Sequence, residues 1–530
     1  MPTKIIRFAI ILLIGSASFS ACKKGWLDVN YDSTLLTDNN AAPYLVAPNI
    51  LATYAANTPT SQLDVYISAW MGYWCVPYET GTPAETYKIN TSYAVSDGNV
   101  APALAEANAR RNGMDFYQGM MKVAGVIMFA HLVDELSDVP YFQAYKANIS
   151  QPAYDKGKDI YEDLIRQLDT AQTLIKNADL AKNIKISDAD IVFHGDKAGW
   201  ARFINTLKLR LLIHQANVPG REDYIKGEIA KITTEGSGFL QSGEDAAVNP
   251  GYTTSQRNSY YNYYCLYGRK PVFWQNAGAN VVMLDILKRN KDPRLGFFYT
   301  PALLPVDPGG AEPFPTDSVG FRGNKLGLPL DPDQYPYQNG YYLAIVGQVT
   351  QDGPVTSSST GIIKGYDMSQ WIITSTESMF LQAEAIYRGW LPGSPEDAYK
   401  NAVKESFLWL NVGGNTYDPG QSFNIFDNWY AQQVSANNPE VSWTAAPDKY
   451  KLLLFQKYIS FNGIDFFEAW TDYRRNGGYP QITLSADPAR VSDKLPIRML
   501  YPPDEYINNT VNVQKEGSID PFNSKIWWMP

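Results

Sequence analysis

The sequence predicts a mainly α protein: a scaffold of helical hairpins carrying long loop-rich insertions, with few short strands. Three observations point there. Several segments repeat apolar residues at helical spacing, and two of them are joined by a short turn with strong helix-start chemistry. The stretches between lack periodicity and hold Pro, Gly and Asn with a large share of the aromatics.

The chain opens on Lys4 and Arg7, an apolar run from Phe8 to Ile14, and the small-residue stretch Gly15–Ala21 before Cys22. A basic start, a short apolar run and small residues before a cut site describe an export signal over residues 1–21. The apolar run makes roughly 10 Å of helix, far too short to span a bilayer. A cysteine at that position is where bacteria attach lipid, so Cys22 is expected to be lipidated. Acyl chains would then hold the mature chain on a membrane.

Helical stripes follow in order. Phe116, Met120, Ala124, Ile127, Met128 and His131 share a face, as do Ile160, Tyr161, Leu164, Ile165, Leu168, Ala171 and Ile175 within Lys158–Ile175. Trp200, Phe203, Ile204, Leu207 and Leu211 form a third stripe. Trp371–Arg388 reads as a helix, followed by the turn Trp390–Gly393 and by Ser394-Pro395-Glu396-Asp397. Ser394 suits an N-cap, Pro395 the first helical position and the acids the first turn. This pair resembles one tetratricopeptide unit, although its period is not kept elsewhere. Stacked hairpins of this kind build a right-handed scaffold. The aperiodic stretches, roughly 240–275, 299–366, 411–445 and 477–530, are expected to carry function. Residues 22–530 read as a single domain, with ligand-binding loops at roughly 240–366 and 411–445.

Composition narrows the function. Removing the signal takes away Lys4 and Arg7 but no acid, moving the formal charge from −9 to −11. Nucleic-acid binding depends on cationic neutralisation of phosphates, so no nucleic-acid partner is expected. Cys75 and Cys265 remain besides Cys22, and the sequence leaves open whether they pair. The catalytic inventory is thin. The histidines are His131, His194 and His214, and there is no H-E-x-x-H, G-x-S-x-G, Walker loop or C-x-x-C. His131, on an apolar face, reads as a core histidine. A glycosidase needs only a carboxylate pair, for which Glu79, Glu85, Glu384 and Glu468 are candidates; Glu384 and Glu468 sit in helical strings that favour salt bridges. No catalytic residue, cofactor or metal site is expected; the D-x-D at Asp331 and Asp333 is too weak a calcium signal.

Several strings, in order, resemble the SusD/RagB family of outer-membrane nutrient-binding lipoproteins. They are Gly25–Asn30 after the lipid-type signal, Asp138-Val139-Pro140-Tyr141, Pro152–Asp155 with Ile160-Tyr161, and Asp190-Ile191-Val192-Phe193 with Gly195-Asp196 before Trp200. Asp292-Pro293-Arg294-Leu295, Phe467-Glu468-Ala469-Trp470 with Asp472–Arg475, and Pro496–Tyr501-Pro502 complete the set. One departure is Lys23-Lys24, where surface-export signals are commonly acidic. Physically, Asp138 and Asp155 are expected to cap turns or helix starts, and Arg210, Arg474 and Arg475 to pair with acids such as Asp472.

The resemblance implies a lipid-anchored lid on the outer membrane, facing the cell exterior over a SusC-like TonB-dependent barrel, handing it glycan or oligosaccharide. A peptide-capturing lid and a surface glycoside hydrolase are the alternatives. Tyrosine is abundant, with 36 Tyr against 22 Phe, and 13 Trp besides; such rings suit stacking against the apolar faces of sugars. The candidate contacts are Tyr261, Tyr263 and Tyr264, running on to Trp274 and Asn276, with the early cluster around Trp74 and Tyr78 second. If residues 259–267 are extended, Tyr261 and Tyr263 share one side.

Overall fold

The computed structural model describes residues 36–57, 61–75, 81–89, 100–146, 148–264, 278–302, 320–328, 343–347, 353–413 and 419–530. The signal with Cys22 lies outside the described residues, as do Tyr78, Glu79, Cys265, Trp274, Asn276, Asp331 and Asp333. The architecture is mainly α with a few short strands.

Helices Asp115–Leu136, Gly157–Asn177 and Lys197–His214 pack side by side, and Ala101–Arg111 turns into the first of them through Asn112-Gly113-Met114. Every stripe residue expected in 158–175 is buried. Asp115–Leu136 is long and apolar enough to cross a membrane, yet it is largely buried among its neighbours and serves as a core helix. Gly119 allows its close crossing with Gly157–Asn177, since a Cβ there would lie 2.6 Å from Ile175 Cγ1.

The second hairpin pairs Ser375–Tyr387 with Pro395–Trp409. Ser394 caps the latter, accepting from the Asp397 amide at 3.3 Å, with Pro395 in the first turn. The expected helix over Trp371–Arg388 starts later. Gln370–Ile373 is instead a strand, buried on both faces and antiparallel to Ala246–Val248. Trp and Ile side chains suit such a strand, and Thr374 then caps the helix through the Glu377 amide at 3.2 Å.

Two of the stretches expected to be loops also fold locally. Pro419–Ser435 is a helix within 411–445, and it packs Phe426 and Trp429 against Phe407, each at 5.4 Å between ring centres. Its aromatic face carries the helical spacing that polar neighbours obscured. Ser259–Tyr264 is a short helix rather than an extended segment. Four two-residue strands, Trp74–Cys75, Gly278–Ala279, Ile345–Val346 and Tyr299–Thr300, form a small antiparallel sheet in that order. The buried apolar residues make one contiguous cluster from Ala47 to Trp528.

The strings noted in the sequence are joints of this scaffold. Asp190 accepts from the Trp200 indole at 2.7 Å and from the Gly195 amide at 2.8 Å, closing the loop ahead of helix Lys197–His214. Asp138 accepts from the Gly157 amide at 2.9 Å, and Asp155 from the Tyr141 and Phe142 amides at 3.0 and 2.8 Å. Both are caps, as expected. Asp292 and Arg294 form a fully buried pair at 2.6 Å, and Arg294 also donates to Ser406, Ser460 and Gln456.

Candidate ligand-binding surface

The helix Ser259–Tyr264 forms because Asn258 caps it: its side-chain oxygen accepts from the Tyr261 amide at 2.9 Å, while its amide group donates to Met368 O at 3.1 Å. Successive helical residues turn by about 100°, so Tyr260, Tyr261 and Tyr264 face inward while Asn262 is exposed and Tyr263 half-buried. Beneath lies a ring-packed floor. Trp74 meets Tyr264 at 4.9 Å and Phe466 at 4.6 Å, both edge-on, and Tyr260 meets Trp371 at 5.1 Å. The Tyr260 hydroxyl donates to Gly463 O at 2.8 Å. Gly463, at φ +76°, has no room for a side chain, because a Cβ would lie 2.4 Å from Ile362 Cδ1. Burial pushes the Tyr260 and Tyr264 hydroxyls well above the ordinary phenol range.

The two aromatic segments singled out in the sequence thus converge. Strand Trp74–Cys75 pairs with Gly278–Ala279, and the Trp74 ring rests on Tyr264. Their roles differ from expectation, however. Trp74, Tyr261 and Tyr264 are buried and their rings pack against protein, so they support the surface rather than offering platforms. The shared side foreseen for Tyr261 and Tyr263 also does not exist, because the segment is helical. Tyr263 keeps an outward position beside Asn262. Arg257 and Tyr366, which the sequence did not single out, flank Tyr261: the guanidinium lies 5.9 Å from the Tyr261 and Tyr366 ring centres, and Tyr366 stands edge-on to Tyr261 at 6.4 Å. Cys75 is a buried free thiol bonded to the Gly278 and Ala279 carbonyls, and burial raises it to about 12.

A different set of charges sits deep in the scaffold. Arg210 forms two 2.6 Å hydrogen bonds to Glu377, and His214 lies 2.9 Å from Glu468 and 3.3 Å from Asp134. Tyr161 donates to Asp134, as does the Trp528 indole at 2.6 Å. Burial lowers the His214 pKa, but Glu468 and Asp134 more than reverse this and hold it at about 9. Burial likewise opposes ionisation of Glu468 and Glu384, yet His214 and Arg210 beside the first, and Arg475 and Arg388 beside the second, hold both well below the usual carboxylate range. Asp465 moves the other way, raised by burial and by Glu377 and Glu468.

The expected pairing of arginines with acids holds for Arg210 and for Arg475, which lies 2.6 Å from both Glu384 and Asp472. Arg474 differs: it stacks on Trp470 at 3.4 Å and donates to the Asp134 and Ile497 carbonyls. The cavity at this cluster measures about 30 Å³, room for a water or so and far too small for a sugar. Glu85 is also fully buried, bonded to Thr82. These carboxylates are structural. His131 is half-buried, 4.0 Å from the Phe467 ring centre. The cluster cannot be assembled from the sequence because Asp134, His214, Glu377 and Glu468 stand on four different helices; acids within the apolar run ending Val133-Asp134-Glu135-Leu136 were the available local signal.

Packed helical hairpins, a small antiparallel sheet and a tyrosine-rich cluster at helix Ser259–Tyr264 place this chain among mainly α helical-hairpin proteins. Residues 36–502 match the SusD-like family described as starch-binding and associating with the outer membrane. The chain belongs to that family, whose members bind carbohydrate and are not enzymes. Its fold is similar to a SusD homologue of Bacteroides fragilis (20% identity, 92% of this chain and 99% of that one, TM-score 0.69). A chitin-binding SusD homologue of Flavobacterium johnsoniae matches at 19% identity, with coverages of 92% and 97% and a TM-score of 0.68. A SusD/RagB family protein of Bacteroides thetaiotaomicron matches at 20% identity, with coverages of 92% and 98% and a TM-score of 0.65. No protein of curated function matches it by sequence.

Proposed function

We propose that this chain captures a glycan at the surface around Tyr263 and Asn262, and delivers it to a SusC-like TonB-dependent barrel. The observation that carries the reading is the half-buried Tyr263, set beside the exposed Asn262 amide and 5.6 Å from the Tyr264 ring centre, on a floor of interlocked rings. A sugar stacks its apolar face on such a ring while a neighbouring amide takes its hydroxyls. The rigid floor lowers the ordering cost of binding. Tyr78, Trp274 and Asn276, which lie outside the described residues, are proposed as further contacts on their sequence pattern alone. Lipid on Cys22 would hold the protein at the outer membrane, where tethering beside a transporter makes weak capture sufficient. The chitin-binding relative supports a glycan over a peptide as ligand.

The test has two arms. Mature protein is applied to an immobilised glycan panel that includes malto- and chito-oligosaccharides; binding weakened about tenfold in Tyr263→Ala is the expected result, and binding to no glycan refutes capture. Native purification from detergent-solubilised outer membranes is expected to bring a TonB-dependent barrel with it; its absence refutes delivery.

A further inference from the structure

A second recess opens between helices Ala101–Arg111, Asp115–Leu136 and Gly157–Asn177 and the turn that follows Val139, sharing no residue with the tyrosine surface. Its volume is about 130 Å³, comparable with one pyranose ring. One wall is aromatic. Phe129 meets Tyr141 edge-on at 4.7 Å and Tyr145 at 6.0 Å, and Tyr141 meets Phe142 at 4.9 Å. Phe142 and Tyr145 are 44% and 41% exposed, unusual for such large rings.

The other wall is polar. Lys122 donates to Gln167 Oε1 at 2.8 Å and lies 3.5 Å from Glu106. Gln167 donates in turn to Asp163 at 3.2 Å, and Asp163 also takes the Tyr141 hydroxyl at 2.6 Å. An ammonium has three donors and a carboxylate several lone pairs, so this ladder keeps hydrogen-bonding capacity after its internal bonds are made. Tyr145 moreover sits at φ +60°. Bulky residues rarely adopt that conformation, and such strain concentrates where a side chain is held for use.

Rings on one wall and a ladder of charged and amide groups on the other match the two faces of a sugar. We infer that this recess is a second saccharide subsite, taking one pyranose unit with its apolar face toward Tyr145 and Tyr141 and its hydroxyls toward Lys122, Gln167 and Glu106. The inference rests on the capture reading but concerns a separate place on the molecule.

Calorimetric titration of the mature protein with maltoheptaose and with chitohexaose tests it. At least one probe is expected to bind at two sites per chain. Tyr145→Gly, which removes the ring while relieving the positive φ, weakens one class about tenfold, as does Lys122→Met; Tyr263→Ala weakens the other. Circular dichroism and thermal melts establish that the variants are folded. A stoichiometry of one, or two sites untouched by Tyr145→Gly and Lys122→Met, overturns the second subsite while leaving capture intact. Failure of both probes to bind also overturns it, and capture falls only if the whole glycan panel fails too.

Discussion

Raising the pH from 6.5 to 9 should destabilise this protein through one side chain, His214. The imidazole is fully buried between Glu468 and Asp134, with Tyr161 at 2.9 Å and Arg210 and Arg474 in the same cluster. Its folded pKa of about 9 lies above the ordinary value of 6.5. A group whose pKa is raised on folding contributes stability that is fully present below the unfolded pKa and lost as pH rises through the folded one. The gap corresponds to about 3 kcal/mol, lost progressively between about pH 6.5 and 9.

Urea unfolding across that range measures the slope, and His214→Gln isolates it. The variant begins less stable by about 3–5 kcal/mol, because Glu468 and Asp134 lose their buried partner, but its stability no longer falls with the His214 titration. With three histidines in the chain, NMR can follow the imidazole directly. A His214 pKa below 7, or parallel pH slopes for the two proteins, would refute the reasoning.

Other consequences follow from packing and from the surface. Gly119→Ala places a methyl group 2.6 Å from Ile175 Cγ1 and is expected to lower the unfolding free energy by about 1–3 kcal/mol in urea melts. Arg294→Met strands the fully buried Asp292, a loss of about 3–5 kcal/mol; adding Asp292→Leu should restore part of it, and no recovery would argue against the pair. Tyr263→Ala should weaken glycan binding about tenfold with little change in Tm. Trp74→Ala should do the reverse, lowering stability by about 3–5 kcal/mol by opening a core cavity, which thermal melts and titrations distinguish.

Much of the scaffold was legible because its signals are local. The stripe from Ile160 to Ile175 lies on one helix face by spacing alone, and Ser394-Pro395 caps its helix through contacts within four residues. Asp138 and Asp155 likewise act on amides of adjoining turns. The family strings were readable for the same reason: each is a short joint, such as the Asp190 loop that receives the Trp200 indole.

What tertiary structure alone decided is which of two conformations a short aromatic run takes and which rings it hides. Residues 259–264 suit strand or helix, and the choice rests with the adjacent cap Asn258 and with Trp74, Phe466 and Trp371, which come from distant parts of the chain. Gln370–Ile373 became a strand because Ala246–Val248 lay beside it to accept pairing. The buried charges followed the same logic, since Asp134, His214, Glu377 and Glu468 meet only once their helices pack. Periodicity and capping reach a few residues along the backbone, whereas burial of a ring or a charge is settled by neighbours that only folding brings near.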